Sequence, residues 1–196
     1  YIKNRNIKTI WTLHDCWAFT GGCPYFTIQS CYKWKSGCQQ CPQQRTYLDF
    51  FTDISGYMWR MKKEWFCGIN DMTIVTPSLW LADLAKASFL GSYPVMTINN
   101  GIDLNVFTPT ASDFRKKHGI EEKRVLLGVA FDWGRRKGLD VIFELAKRLD
   151  DTYRIVLVGT NESIDSILPE NIISIHKTEN QQQLAEIYSA ADLFVN

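Results

Sequence analysis

Two uninterrupted apolar runs, "RVLLGVA" at 124–130 and "YRIVLVG" at 153–159, lie on either side of a stretch with helical spacing. A strand that is apolar along its whole length must be covered on both faces, which is the habit of parallel sheets with crossover helices packed above and below. Between the runs, Leu139, Ile142, Phe143, Ala146 and Leu149 fall on one helical stripe. A third strand is expected at "NIISIH" and a fourth at "DLFVN", with the helix between them carrying Leu184, Ile187, Tyr188 and Ala191. Asn180 and Gln183 resemble a capping box at its start. Strand–helix alternation with right-handed crossovers predicts a doubly wound α/β sheet.

The first half repeats the pattern less regularly. "IKTIWTL" and "MTIVTP" read as strands, and "ISGYMWRMKKEWF" reads as a helix. Ser78 is placed to cap a further helix, "LWLADLAKAS", whose Leu81, Leu84, Ala85 and Ser88 share a face. A strand "VMTIN" then meets Asn99-Asn100-Gly101, where Gly101 is expected to supply a positive φ. Residues 97–112 hold turn residues and Pro109, and they part a half with all six cysteines from a half with none. The domain division expected is 1–98 and 99–196, with a cysteine-rich loop at 16–45.

Charge excludes one class of partner. Lys and Arg number 22 against 21 Asp and Glu, a net of +1, whereas nucleic-acid binding needs a concentrated basic surface. No apolar run has the length of a membrane span, so membrane association is expected, if at all, at a surface.

The loop holds Cys23-x7-Cys31-x6-Cys38-x2-Cys41. Four thiolates can enclose a tetrahedral zinc, and a C-x2-C turn commonly supplies two of them. Structural zinc is the favoured reading; two disulfides or unligated thiols are the alternatives. The cysteine-free, aliphatic second half argues for a reducing cytoplasm. With all four ligand positions filled by cysteine, no catalytic metal is expected.

"GRRKGLD" sets Arg135, Arg136 and Lys137 just before a helix start, where free N–H groups and cations make a seat for a phosphate or diphosphate. The plainer reading is a basic turn facing water. His14 ends the strand of "TLHD", the position where open α/β sheets bind ligands, though it could equally satisfy loop carbonyls. His118 and His176 hold weaker positions.

In order, "TLHD", the cysteine loop, "MTIVTPSLWLADLAKAS", "INNGIDLNVFTP", "GVAFDWGRRKGLDVIFELAKRL", "YRIVLVG" and "LAEIYSAADLFVN" resemble family 4 glycosyltransferases. The likeness is greatest to the bacterial branch that builds capsular and colanic-acid-like polysaccharides. The resemblance implies a GT-B enzyme with two Rossmann-like domains and a retaining transfer from a nucleotide-sugar donor to a glycan or lipid-linked glycan. It implies a place in the cytoplasm, at the inner face of the membrane.

Lys137 matches the family lysine on the donor diphosphate, and His14 matches the histidine at the donor sugar. Where many members carry "GR" after the strand, this chain has "GVAFDW", so Arg136 is expected to supply the second cation. The family's paired glutamates fall beyond Asn196, and the first strands fall before Tyr1. The chain is therefore expected to be an internal piece with little transferase activity of its own. The rival expectation is a zinc-stabilised interaction module docking through Trp17, Tyr25, Phe26, Tyr32 and Trp34.

Overall fold

The two apolar runs become neighbouring parallel strands of one sheet, and the first half of the chain builds a second. The structure, a computed structural model, describes residues 2–45 and 51–195. Asn196, the expected end of the last strand, lies outside them. Two compact units divide at the Gly101–Ile102 bond.

Unit 1 follows a short helix α1 (Ile2–Arg5) with strand β1 (Thr9–Thr12) and, after the cysteine loop, helix α2 (Ser55–Phe66). Strand β2 (Met72–Thr76), helix α3 (Leu79–Lys86) and strand β3 (Val95–Thr97) complete it. The sheet order is β1-β2-β3, all parallel. Central β2 is the most buried, with Met72 and Ile74 in a core shared with Leu13, Leu81, Ala85 and Leu90. Ser78 caps α3 as expected, its Oγ accepting the Leu81 N–H at 3.2 Å. The buried face of α3 is turned toward Ala82, leaving Leu84 only half-buried. Replacing Ser78 by alanine should lower stability by about 1 kcal/mol, and by glycine only a few tenths, read from the denaturant midpoint. Equal losses would show that the hydroxyl does not cap the helix.

Unit 2 runs helix α4 (Phe114–Lys117), strand β4 (Arg124–Val129), helix α5 (Leu139–Arg148), strand β5 (Tyr153–Val158) and helix α6 (Glu162–Asp165). Strand β6 (Ile172–Ile175), helix α7 (Gln181–Ala190) and strand β7 (Leu193–Val195) follow. Its parallel sheet has the order β6-β5-β4-β7, in register through Leu127↔Val156 and Leu126↔Leu193. Alternate residues feed two cores, as the pleat requires. Leu126, Ile155 and Leu157 pack with Leu139, Ile142 and Ala146 of α5. Val125, Leu127, Val156 and Val158 pack with Phe114, Ile187 and Ala190. The unit is doubly wound.

At the start of α7, Asn180 Oδ1 accepts the Gln183 N–H at 2.9 Å, while Gln183 Oε1 takes the N–H of Glu179, one residue before the cap. Gly101 departs from expectation. It is not in the left-handed region, and a Cβ placed there would meet nothing within 4 Å. The turn is made instead by Asp103, whose carbonyl accepts from Val106 and Phe107 and whose Oδ1 accepts the Asn105 N–H.

Candidate functional site

In unit 2 the chain leaves β4 for β5 on one side, and later returns to add β7 on the other. Such a reversal opens a crevice beyond the carboxyl ends of the two strands, where α/β sheets take their ligands. A cavity of about 380 Å³ lies there, lined by Val129, Trp133, Arg136, Lys137, Gly138 and Val195 among others. The basic turn of the sequence is its wall.

Residues Arg135–Lys137 form one 3₁₀ turn, and Gly138 at φ 71° leads from it into α5. A left-handed residue at this junction suits glycine, which has no Cβ to clash. The 3₁₀ turn is closed by Lys137 N–H to Gly134 O (2.9 Å) and Gly138 N–H to Arg135 O (3.2 Å). The first-turn N–H groups of the ten-residue α5 point toward the same crevice end by helix geometry. All three cations are exposed, and Lys137 has no ion-pair partner among the described residues. Asp140 in the first helical turn complements the helix dipole.

Trp133 fixes this turn to the sheet, and the sequence did not single it out. Its ring is buried, and its Nε1–H donates to the Val158 carbonyl at 2.9 Å. A Cβ on Gly128 would come within 2.8 Å of the indole, so a glycine inside β4 is what lets the ring lie flat on the strand. An isolated glycine in a strand is a signal of such close approach. Phe131, by contrast, is fully exposed.

His14 lies two residues past β1 in unit 1, exposed, with no hydrogen bond fixing its ring among the described residues. Of the other histidines, His118 lies against the Phe114 ring (4.3 Å between centroids) and His176 Nε2 meets Asp165 Oδ2 at 2.6 Å.

Cys23, Cys31, Cys38 and Cys41 surround one small cavity of about 20 Å³ in unit 1. Burial, more than any other cause, pushes Cys38 up to about 11 and raises Cys23 and Cys41, and neighbouring thiols add to each shift. Among the described residues no group of three or more His, Cys, Asp or Glu side chains is set, as it stands, to hold a metal ion. The loop aromatics divide. Phe26 and Trp34 are buried, with Trp34 5.3 Å from Phe19 and 5.1 Å from Phe26 between ring centroids. Trp17 and Tyr32 are exposed and Tyr25 is half-buried, so two of the five named aromatics belong to the loop's own core.

No protein-family model matches the chain. It is 34% identical over 107 residues to the putative colanic acid biosynthesis glycosyl transferase WcaC of Escherichia coli (strain K12), covering 53% of this chain and 26% of that protein. The chain thus spans about a quarter of that relative's length. In structure it is similar to sucrose-phosphate synthase from Thermosynechococcus elongatus, at a TM-score of 0.56 and 19% identity, over 74% of this chain and 40% of that one. No helix among the described residues is long and apolar enough to cross a membrane. By sequence the chain is similar to a glycosyltransferase, and by fold to a glycosyltransferase of the GT-B type.

Proposed function

We propose that the chain carries the donor-diphosphate seat of a glycosyltransferase. The reaction moves a sugar from a nucleotide-sugar donor to a glycan or lipid-linked glycan acceptor, with retention, in polysaccharide assembly at the inner membrane face. One observation carries this reading: Arg136 and Lys137 line a crevice at the point where the strand order reverses, beside the N-terminus of α5. As the bond from the sugar's anomeric carbon to the diphosphate oxygen breaks, negative charge builds on the leaving group. Fixed cations and N–H dipoles stabilise that charge without having to reorganise, which is the largest single contribution in many enzymes. Arg136 and Lys137 hold the diphosphate, Arg135 adds to the local positive field, and His14 serves the sugar end of the donor. The chemistry assigned to these groups requires no divalent cation.

The test is direct titration of this chain with nucleoside diphosphates, followed calorimetrically. A hydrogen bond to a charged group contributes about 1.5–3 kcal/mol, so Lys137→Ala should weaken binding about ten- to hundredfold. Wild type and variant binding a nucleoside diphosphate equally well would remove the diphosphate from this turn.

A further inference from the structure

We infer that Cys23, Cys31, Cys38 and Cys41 bind one zinc ion as four thiolates, and that this ion, which has no open coordination position, locks the long loop after β1 against the start of α2. The inference does not depend on the sugar chemistry.

Selection among the cysteines is the first support. All six are unpaired thiols, yet only these four line the cavity; Cys16 packs into the sheet core, and Cys67 donates to the Phe89 carbonyl. The space they enclose, about 20 Å³, is of the order of one atom rather than of an organic ligand. As they stand, the four cysteines line that space without forming a coordination sphere. Binding draws them in to about 2.3 Å from the ion.

Hydrogen-bond donors stand beside the sulfurs. The Gly21 N–H already donates to Cys38 Sγ at 3.2 Å. Trp34 and Ser55 line the same cavity, and the Trp34 indole N–H and the Ser55 hydroxyl are each buried without a hydrogen-bond partner. A buried donor left unmade costs about 1–3 kcal/mol, and thiolate sulfur would add an acceptor for such donors.

The cations point the same way. Lys62 is fully buried on α2, its Nζ held by the carbonyls of Trp17 (2.7 Å) and Thr20 (3.2 Å) and set 3.5 Å above the Trp17 ring. Among the described residues no carboxylate forms an ion pair with it, and Asp15 acts only from a distance. Lys33 donates to the carbonyls of Gln39 and Gln40, inside the Cys38–Cys41 turn. A zinc ion with four thiolates carries a formal charge of −2, which two adjacent ammonium groups balance. Without an anionic cluster, the buried Lys62 ammonium has only the more distant Asp15 to offset its charge.

Binding is balanced by protons alone: each thiol gives its proton to solvent as its sulfur–zinc bond forms, with no change of oxidation state. The packing shows what the ion would secure. A Cβ on Gly21 would come within 2.8 Å of the Cβ of both Cys38 and Ser55, so loop and helix already meet where the ligands converge.

The experiment measures metal directly on the 196-residue chain. Elemental analysis of reduced, purified protein should find one zinc per chain. After chelation at acidic pH, Co²⁺ titrated back should give sulfur-to-cobalt charge-transfer bands and intense tetrahedral d–d bands that saturate at one equivalent and vanish when Zn²⁺ is added. Cys38→Ser should weaken Co²⁺ binding at least about tenfold, while Cys67→Ser should leave it unchanged. Because Cys38→Ser could fail to fold, the wild-type cobalt spectrum decides alone. A folded wild-type chain that holds no stoichiometric zinc and gives no thiolate–cobalt bands overturns the inference, as does recovery of the four cysteines as two disulfides from a reducing preparation.

Discussion

Replacing Trp133 with alanine is expected to destabilise unit 2 by about 3–5 kcal/mol, the range for removing a large aromatic from a core. The ring fills the space above Gly128 and packs in the cluster with Leu126, Leu139 and Ile142, so its loss opens a cavity under the start of α5. Trp133→Phe separates two contributions. It keeps most of the buried area but removes the donor to the Val158 carbonyl, which should cost about 1–2 kcal/mol. Urea unfolding of both variants reads the two losses. An unchanged midpoint for Trp133→Ala would show that the indole does not support the basic turn.

Gly159→Ala is the second large loss. Gly159 sits at φ +89°, and an added Cβ would lie 1.6 Å from the carbonyl oxygen of Ala130. The left-handed backbone costs a non-glycine residue about 1–2 kcal/mol. Forced displacement in a packed region adds about 1–3 kcal/mol. The expected total is about 2–5 kcal/mol. Gly119→Ala is the control that decides which effect dominates, since Gly119 has φ +64° but open space around it. If the two variants lose the same stability, backbone conformation alone accounts for the effect and the close approach of the loops after β4 and β5 is not real.

Much of the fold was readable because parallel strands advertise themselves. The runs at 124–130 and 153–159 became β4 and β5 nearly to the residue, since a strand covered on both faces tolerates few polar side chains. Ser78 and Asn180 were legible because a cap is a local event between residues three apart. Gly101 misled for the complementary reason. An Asn-Asn-Gly string favours a left-handed turn, but Asp103 further on makes its own turn and leaves that glycine with no such duty.

At the candidate site, the basic turn was visible as charge before a helix, while the residue holding it in place was not. Trp133 acts through a contact with Gly128 and a hydrogen bond to a different strand, and neither partner adjoins it in sequence. The aromatic loop was ambiguous for a related reason. Trp34 and Tyr32 have similar composition signals, yet one is buried and the other 62% exposed, a difference set by which side of a 3₁₀ turn each occupies.

The reversal of strand order at β4, with β5 on one side and β7 on the other, has a consequence for evolution. A hollow made by connectivity is set first by strand order, so substitutions outside the supporting Trp133 can rewrite much of the lining without closing it. Lineages that keep the strand order inherit the hollow, and can change what it accepts by altering a few residues on one short turn.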